Sequence, residues 1–277
     1  MKFCKKQIIK IGCKSLSKLK TIKSLGILNV IRVILYRVTI KLRIHRVCYI
    51  KSETPLGPYF LSPQFPPTAL QSNELWNKTT NLFGHFSIPL GNKIPAWLSN
   101  PITGNSFDLP LLPWWKISDF DHPTGDIKLI WEQSRMDWVV TFAQRARNGD
   151  NETLQKLNEW LNNWVSTNPA YLGPNWKCGQ EASIRLINLA CGALILEHEK
   201  QTLKGLQQLI IMHLRRISPT INYAISQDNN HGTSEAVALF VGGSWLQSLG
   251  YKDGKKFEKM GRKWLENRVD RLFDKDG

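Results

Sequence analysis

The stretch Asp228-Asn229-Asn230-His231-Gly232-Thr233-Ser234-Glu235-Ala236 concentrates the side chains of this chain that could do chemistry. It runs directly into an apolar helical segment, Val237-Ala238-Leu239-Phe240-Val241. A single Asn suffices to cap a helix, because its side-chain oxygen takes one orphan amide N–H of the first turn. Four polar residues in a row exceed that need. An Asn amide offers two N–H donors that hold a carboxylate without titrating. An imidazole donates to the same anion, or accepts a proton, near neutral pH. His231 and Glu235 lie four apart, on one helix face. Asn229, Asn230 and His231 would stand at a helix N-terminus, where the dipole favours an anion. Glu235 either orients His231 or only stabilises the first turn of the helix.

Further candidates lie upstream. Asn175 and Trp176 follow Gly173-Pro174, where a loop presents side chains. Trp176 either stacks on a sugar face or fills a core. Glu181 and Arg185 are four apart, and Glu132 and Arg135 three apart. Pairing across a helix turn is the favoured reading of both, with carboxylate binding by the arginine as the sharper one. Other chemistries lack an anchor: there is no His-Glu-x-x-His, no Walker A loop, no dinucleotide-binding glycine fingerprint and no Gly-x-Ser-x-Gly elbow. No metal or cofactor is indicated. The cysteines Cys4, Cys13, Cys48, Cys178 and Cys191 are odd in number and form no Cys-x-x-Cys pair, so neither a zinc site nor a disulfide framework is indicated.

The elements that must position these residues change character twice along the chain. Residues 1–51 carry fourteen of the fifteen net positive charges and no Asp or Glu. Their apolar residues are interrupted by cations, as in Ile31-Arg32-Val33-Ile34-Leu35-Tyr36-Arg37. No apolar run approaches the roughly 18 residues of a spanning helix, and a cleavable signal peptide fits poorly. This arm reads as a basic amphipathic helical extension that packs on the main domain or touches an anionic surface, through residues 1–50. No nucleic-acid-binding signature accompanies the charge. Residues 52–125 are broken by Pro55, Pro58, Pro63, Pro66, Pro67, Pro89, Pro95, Pro101, Pro110, Pro113 and Pro123, which predicts a wrap or lid with one short strand near 81–90. From Asp126 to Gly277 the period is helical. Trp131, Ser134, Trp138 and Phe142 mark one face, and Leu154, Leu157, Leu161 and Trp164 the next. Helices are expected over 179–196, about 203–217, about 234–249 (ended by Gly250), and through Phe257, Met260, Trp264, Arg268 and Leu272. Antiparallel hairpins joined by short loops build a solenoid or a closed toroid.

Three blocks in order resemble the heparinase II/III-like polysaccharide lyases. They are Asp126 to Arg135 with Trp131, then Asn168-Pro169-Ala170-Tyr171-Leu172-Gly173-Pro174-Asn175-Trp176 with Gln180-Glu181-Ala182 and Arg185-Leu186, and lastly the Asn-His run with Glu235-Ala236. The resemblance covers roughly residues 80 to 277. It implies a mainly α fold, an incomplete (α/α) toroid preceded by the basic helical arm and the Pro-rich wrap. It also implies an alginate-lyase-like activity on an acidic, uronate-containing polysaccharide such as a glycosaminoglycan, in the bacterial periplasm or cell envelope. In β-elimination a proton leaves the carbon beside the uronate carboxylate while the glycosidic oxygen departs, so the growing anion needs fixed donors and the proton a base. By that resemblance Asn230 and His231 are catalytic. Asn229, Glu235, Asn175, Trp176, Glu181, Arg185, Trp131 and Arg135 bind substrate. The family's catalytic tyrosine and β-sandwich would follow Asp276-Gly277, so residues 1–277 are expected to bind glycan and to turn it over little. The alternative is a noncatalytic acidic-glycan-binding or polysaccharide-assembly protein.

Overall fold

A computed structural model describes residues 25–63, 79–89, 93–118 and 124–272. The described chain is mainly helical, with a single two-stranded antiparallel sheet. Helix α1 spans Ile27–Lys41 and leads through a 3-10 turn at Arg46–Cys48 into the Pro-rich wrap. Strands β1 (Thr79–Leu82) and β2 (Phe86–Pro89) form a hairpin within it. The short strand expected here is thus two strands, reversed at Phe83 and Gly84, both with positive φ. Then follow α2 (Lys128–Gln133), α3 (Asp137–Arg147), α4 (Asn151–Thr167), α5 (Gly179–Ile195), α6 (Lys204–Ile217), α7 (Ile221–Ser226), α8 (Asn230–Ser248) and α9 (Gly254–Leu272). The face through Trp131 and Phe142 is split between α2 and α3, because Met136 takes a left-handed conformation (φ 63°). Helix α8 starts four residues before the expected Ser234, since Asn229 accepts the His231 N–H and caps it there. The arm's residues 1–24 and the chain's last residues, Phe273 to Gly277, lie outside the described residues.

Sequential helices pair as α3 with α4, α5 with α6, and α8 with α9, while α5 also packs on both α3 and α8. The row α3–α5–α8 is therefore continuous. Trp138, Phe142, Trp160 and Trp97 meet in edge-on or tilted contacts at 5.1–6.0 Å between rings. Leu157, Leu161, Leu186, Leu189, Leu206, Ile210 and Leu239 fill the space around them with no more than 1% exposure. Each such buried side chain contributes about 1.5–3 kcal/mol of transfer free energy. Where α8 meets α9, Gly243 and Gly261 let the backbones touch: a Cβ on either would strike backbone atoms of the facing helix.

The wrap is tied to α4 by asparagines along one side of that helix. Asn158 Oδ1 accepts the N–H groups of Tyr59 (2.8 Å) and Phe60 (3.0 Å), and its amide donates to the Phe60 carbonyl (2.9 Å). Asn162 accepts the Gly57 N–H, and Asn163 accepts the Trp97 indole N–H at 2.8 Å. The bonds to Gly57, Tyr59 and Phe60 satisfy backbone groups that no sheet or helix would otherwise serve. Tyr59, Phe60 and Trp97 are consequently core residues, although they sit in a segment without regular structure.

Candidate functional site

A cleft of about 670 Å³ opens where α1, the 114–117 segment, the start of α5, the end of α6, α7 and the first turns of α8 converge. Its walls carry six basic residues, Arg37, Lys41, Arg43, Lys116, Lys177 and Arg216, against one carboxylate, Glu235. Five aromatic residues join them: Tyr36, Trp114, Trp115, Trp131 and Tyr223. Tyr36 lies flat on Tyr223 with ring centroids 4.0 Å apart, which seats α1 against α7 as one wall.

Helix α8 delivers two of its residues to this cleft because they are one turn apart: His231 and Glu235. His231 Nδ1 lies 3.8 Å from Cys178 Sγ. Burial holds the imidazole below its usual pKa, with Glu181 opposing, so it is neutral near pH 7. Glu235 is buried over the start of α5, where Gly179 leaves room for its carboxylate; a Cβ there would collide with it. Burial pushes its pKa up to about 8, with Arg216 opposing. Its Oε2 has no hydrogen-bond partner, and no hydrogen bond joins it to His231. The Cys178 thiol, pushed up to about 12 chiefly by burial, stays protonated and is no nucleophile.

Arg216 is the most deeply buried of the cations that line the cleft. It is fully buried, yet Nε donates to the Trp176 carbonyl (2.7 Å), Nη2 to the Lys177 carbonyl (2.7 Å) and Nη1 to Thr220 Oγ1 (3.1 Å). Its guanidinium lies 3.6 Å over the Trp114 ring. All of these partners are neutral, and no ion pair reaches it among the described residues. Burial accordingly lowers its pKa. A buried cation held by neutral dipoles is a favourable host for an arriving anion.

The remaining predicted residues separate into four groups. Trp131 lines the cleft, with its indole N–H fixed on the Pro174 carbonyl at 2.9 Å. Asn229 and Asn230 are exposed and do not line it; Asn229 caps α8, and the Asn230 carbonyl accepts the Ser234 hydroxyl. Asp228, at the head of the run, pairs with Arg268 (2.9 Å) and Arg271 (2.6 Å) and so fastens α9 to the entrance of α8. Asn175, Trp176 and Arg185 are fully buried and, unlike Arg216, line no part of the cleft. Their placement is a correction to the substrate-binding expectation: they pack on one another in the core, with only Arg185 Nη1 and Asn175 Oδ1 left without a hydrogen-bond partner. Arg185 sits 5.0 and 5.2 Å from the Trp164 and Trp176 rings and donates to His213 Nε2 and the Asn175 carbonyl. The Asn175 amide donates to Asn168 and the Trp97 carbonyl. Glu181 pairs with Arg135 through two hydrogen bonds of 2.8 and 2.9 Å, not with Arg185, and Glu132 pairs with the same arginine. With both glutamates on it, Arg135 is a structural cation that joins α2 to α5.

Sequence reasoning missed Arg216, Lys177, Trp114, Trp115, Tyr223 and the whole contribution of α1. One signal for Arg216 was present: it stands three residues after His213, inside the apolar stripe of α6, where a solvated arginine has no place. For the others the sequence offers none, since their elements are distant along the chain. Compared with known proteins, the chain matches no family model, no curated protein and no solved structure.

Proposed function

We propose that this chain binds an acidic, uronate-containing polysaccharide in the cleft and acts on it as a lyase by β-elimination, with His231 as the base in place of the tyrosine that the family resemblance implied. The observation that carries the reading is the neutral His231 and the protonated Glu235 side by side in a cleft lined by cations and aromatic rings. Arg216 and Lys177 would hold the uronate carboxylate, and Trp131 or Trp115 would stack on sugar faces. The protonated Glu235 carboxyl would donate to the same carboxylate and offset the charge that grows on it. His231 would take the proton from the carbon beside the carboxylate. The bond from the neighbouring carbon to the glycosidic oxygen then breaks, a C=C bond forms, the leaving oxygen takes a proton from water, and the His231 imidazolium returns its proton to solvent. The row α3–α5–α8 supports an incomplete (α/α) toroid with the cleft at one end.

A second reading, noncatalytic binding of an acidic glycan, is favoured by one observation: Asn230 lies outside the cleft, while the cations and rings alone account for binding. Calorimetric titration of the chain with uronate oligosaccharides and with neutral ones of equal length, beside ultraviolet absorbance of the unsaturated product, tests both. Preferential uronate binding with elimination that His231→Ala abolishes supports the lyase. Uronate binding without elimination supports the second reading, and equal affinity for neutral sugar overturns both.

A further inference from the structure

The outward face of α1 carries an inference that does not depend on the chemistry of the cleft. Ile27, Leu28, Ile31, Ile34, Leu35 and Val38 are all exposed, from 45% at Ile31 to 68% at Leu28. At 3.6 residues per turn they share an arc of roughly 120°. The opposite side of the helix holds Tyr36, stacked on Tyr223, and Ile40, packed against the core. Arg32 borders the apolar stripe on one edge, and Arg37 and Lys41 on the other. No Asp or Glu occurs from Leu25 to Lys51. Isolated exposed apolar residues are ordinary, but a continuous stripe with a cationic border is not.

We propose that α1 is an interfacial helix that lies in the plane of an anionic lipid surface, its apolar stripe sunk among the acyl chains and its bordering cations on the headgroup phosphates. Its 15 residues span about 22 Å, less than the roughly 30 Å hydrocarbon core of a bilayer. No helix of the described residues is long and apolar enough to cross a membrane. Charge complementarity selects lipid over a second copy of the chain. Two such faces brought together would set Arg32, Arg37 and Lys41 against like charges, whereas anionic headgroups neutralise them. Because Arg37 and Lys41 also line the cleft, docking would place its mouth beside the headgroup layer.

The test is co-sedimentation of the full chain with vesicles of phosphatidylcholine alone and of phosphatidylcholine mixed with phosphatidylglycerol. Binding is expected to the mixed vesicles, weakened by added salt. The double variant Ile31→Asp/Leu35→Asp is expected to lose roughly tenfold or more of that affinity. Its circular dichroism and melting should not change, since both side chains already face solvent. Arg32→Glu, at an exposed position, is expected to weaken binding to the mixed vesicles as a second check. Undiminished binding by the folded double variant would overturn the proposal and assign the attraction to the lysines of residues 1–24. A wild-type dimer in sedimentation equilibrium that the double variant splits would also overturn it, by assigning the face to a second copy.

Discussion

Glu235 and Arg185 illustrate opposite fates of a charged side chain placed inside a helical fold. Arg185 is enclosed by neutral donors, acceptors and rings, which makes it a structural residue whatever its sequence neighbours suggest. Glu235 is also buried and, like Arg185, keeps one polar atom without a hydrogen-bond partner, but its side chain borders a cleft. Its pKa rises from 4.5 to about 8, so the folded state holds a proton that the unfolded chain releases at lower pH. Stability is therefore full below about pH 4.5, declines as pH rises through that window, and levels off above about 8. Glu235→Gln should remove this dependence. Melting curves of the two proteins are expected to agree at pH 4.5 and to diverge in favour of the variant by pH 8. Parallel curves across that range would show that Glu235 does not titrate in this way. Affinity for an anionic oligosaccharide should fall as pH rises through about 8 in the wild type and hold in the variant, since ionised Glu235 repels the ligand.

At the scale of elements, hydrogen-bonding side chains from one helix do the work that a sheet would do elsewhere. Outside the β1–β2 hairpin the Pro-rich wrap lacks the N–H pattern for helix or ladder pairing; Asn158 and Asn162 of α4 take its backbone groups at Gly57, Tyr59 and Phe60, and Asn163 takes the Trp97 indole N–H. Asn158→Ala would orphan the amides of Tyr59 and Phe60 along with the Phe60 carbonyl. A loss of roughly 2–3 kcal/mol is expected, read by denaturant unfolding. Residues 52–63 should become protease-sensitive before the helices do. Uniform resistance to protease would mean that the apolar packing of Tyr59 and Phe60 alone secures the wrap.

For the molecule as a whole, the basic arm is divided between two roles. Its end belongs to the body: Val47 is in the core, Ile40, Cys48 and Ile50 pack against it, and Tyr36 completes a cleft wall. Deleting residues 1–50 is therefore expected to lower the melting temperature by several degrees, because one fully buried and several partly buried apolar side chains go with it. It should also weaken acidic-glycan binding through loss of Arg37, Lys41 and Arg43. An unchanged melting temperature would show that the arm only rests on the body.

The mainly helical class, the helices α4, α5, α6, α8 and α9 and the shared face of His231 and Glu235 were legible in the sequence because they rest on local rules. A period of 3.6 places residues four apart on one face, and Gly250, at φ 83°, ends α8 as a glycine can. The helix break at Met136 was not legible, since a left-handed methionine is imposed by packing and has no propensity signal. The same holds for the division of the polar run, in which Asp228 anchors α9, Asn229 caps α8 and Asn230 stays in solvent. Only tertiary structure decided which charges are buried. Arg135 answers to Glu181 from 46 residues away, and Arg216 rests on Trp114 because the 114–117 segment folds over the end of α6. Spacing along one helix selects which residues share a face, but the partner that turns this face into core, cleft or surface comes from elsewhere in the chain.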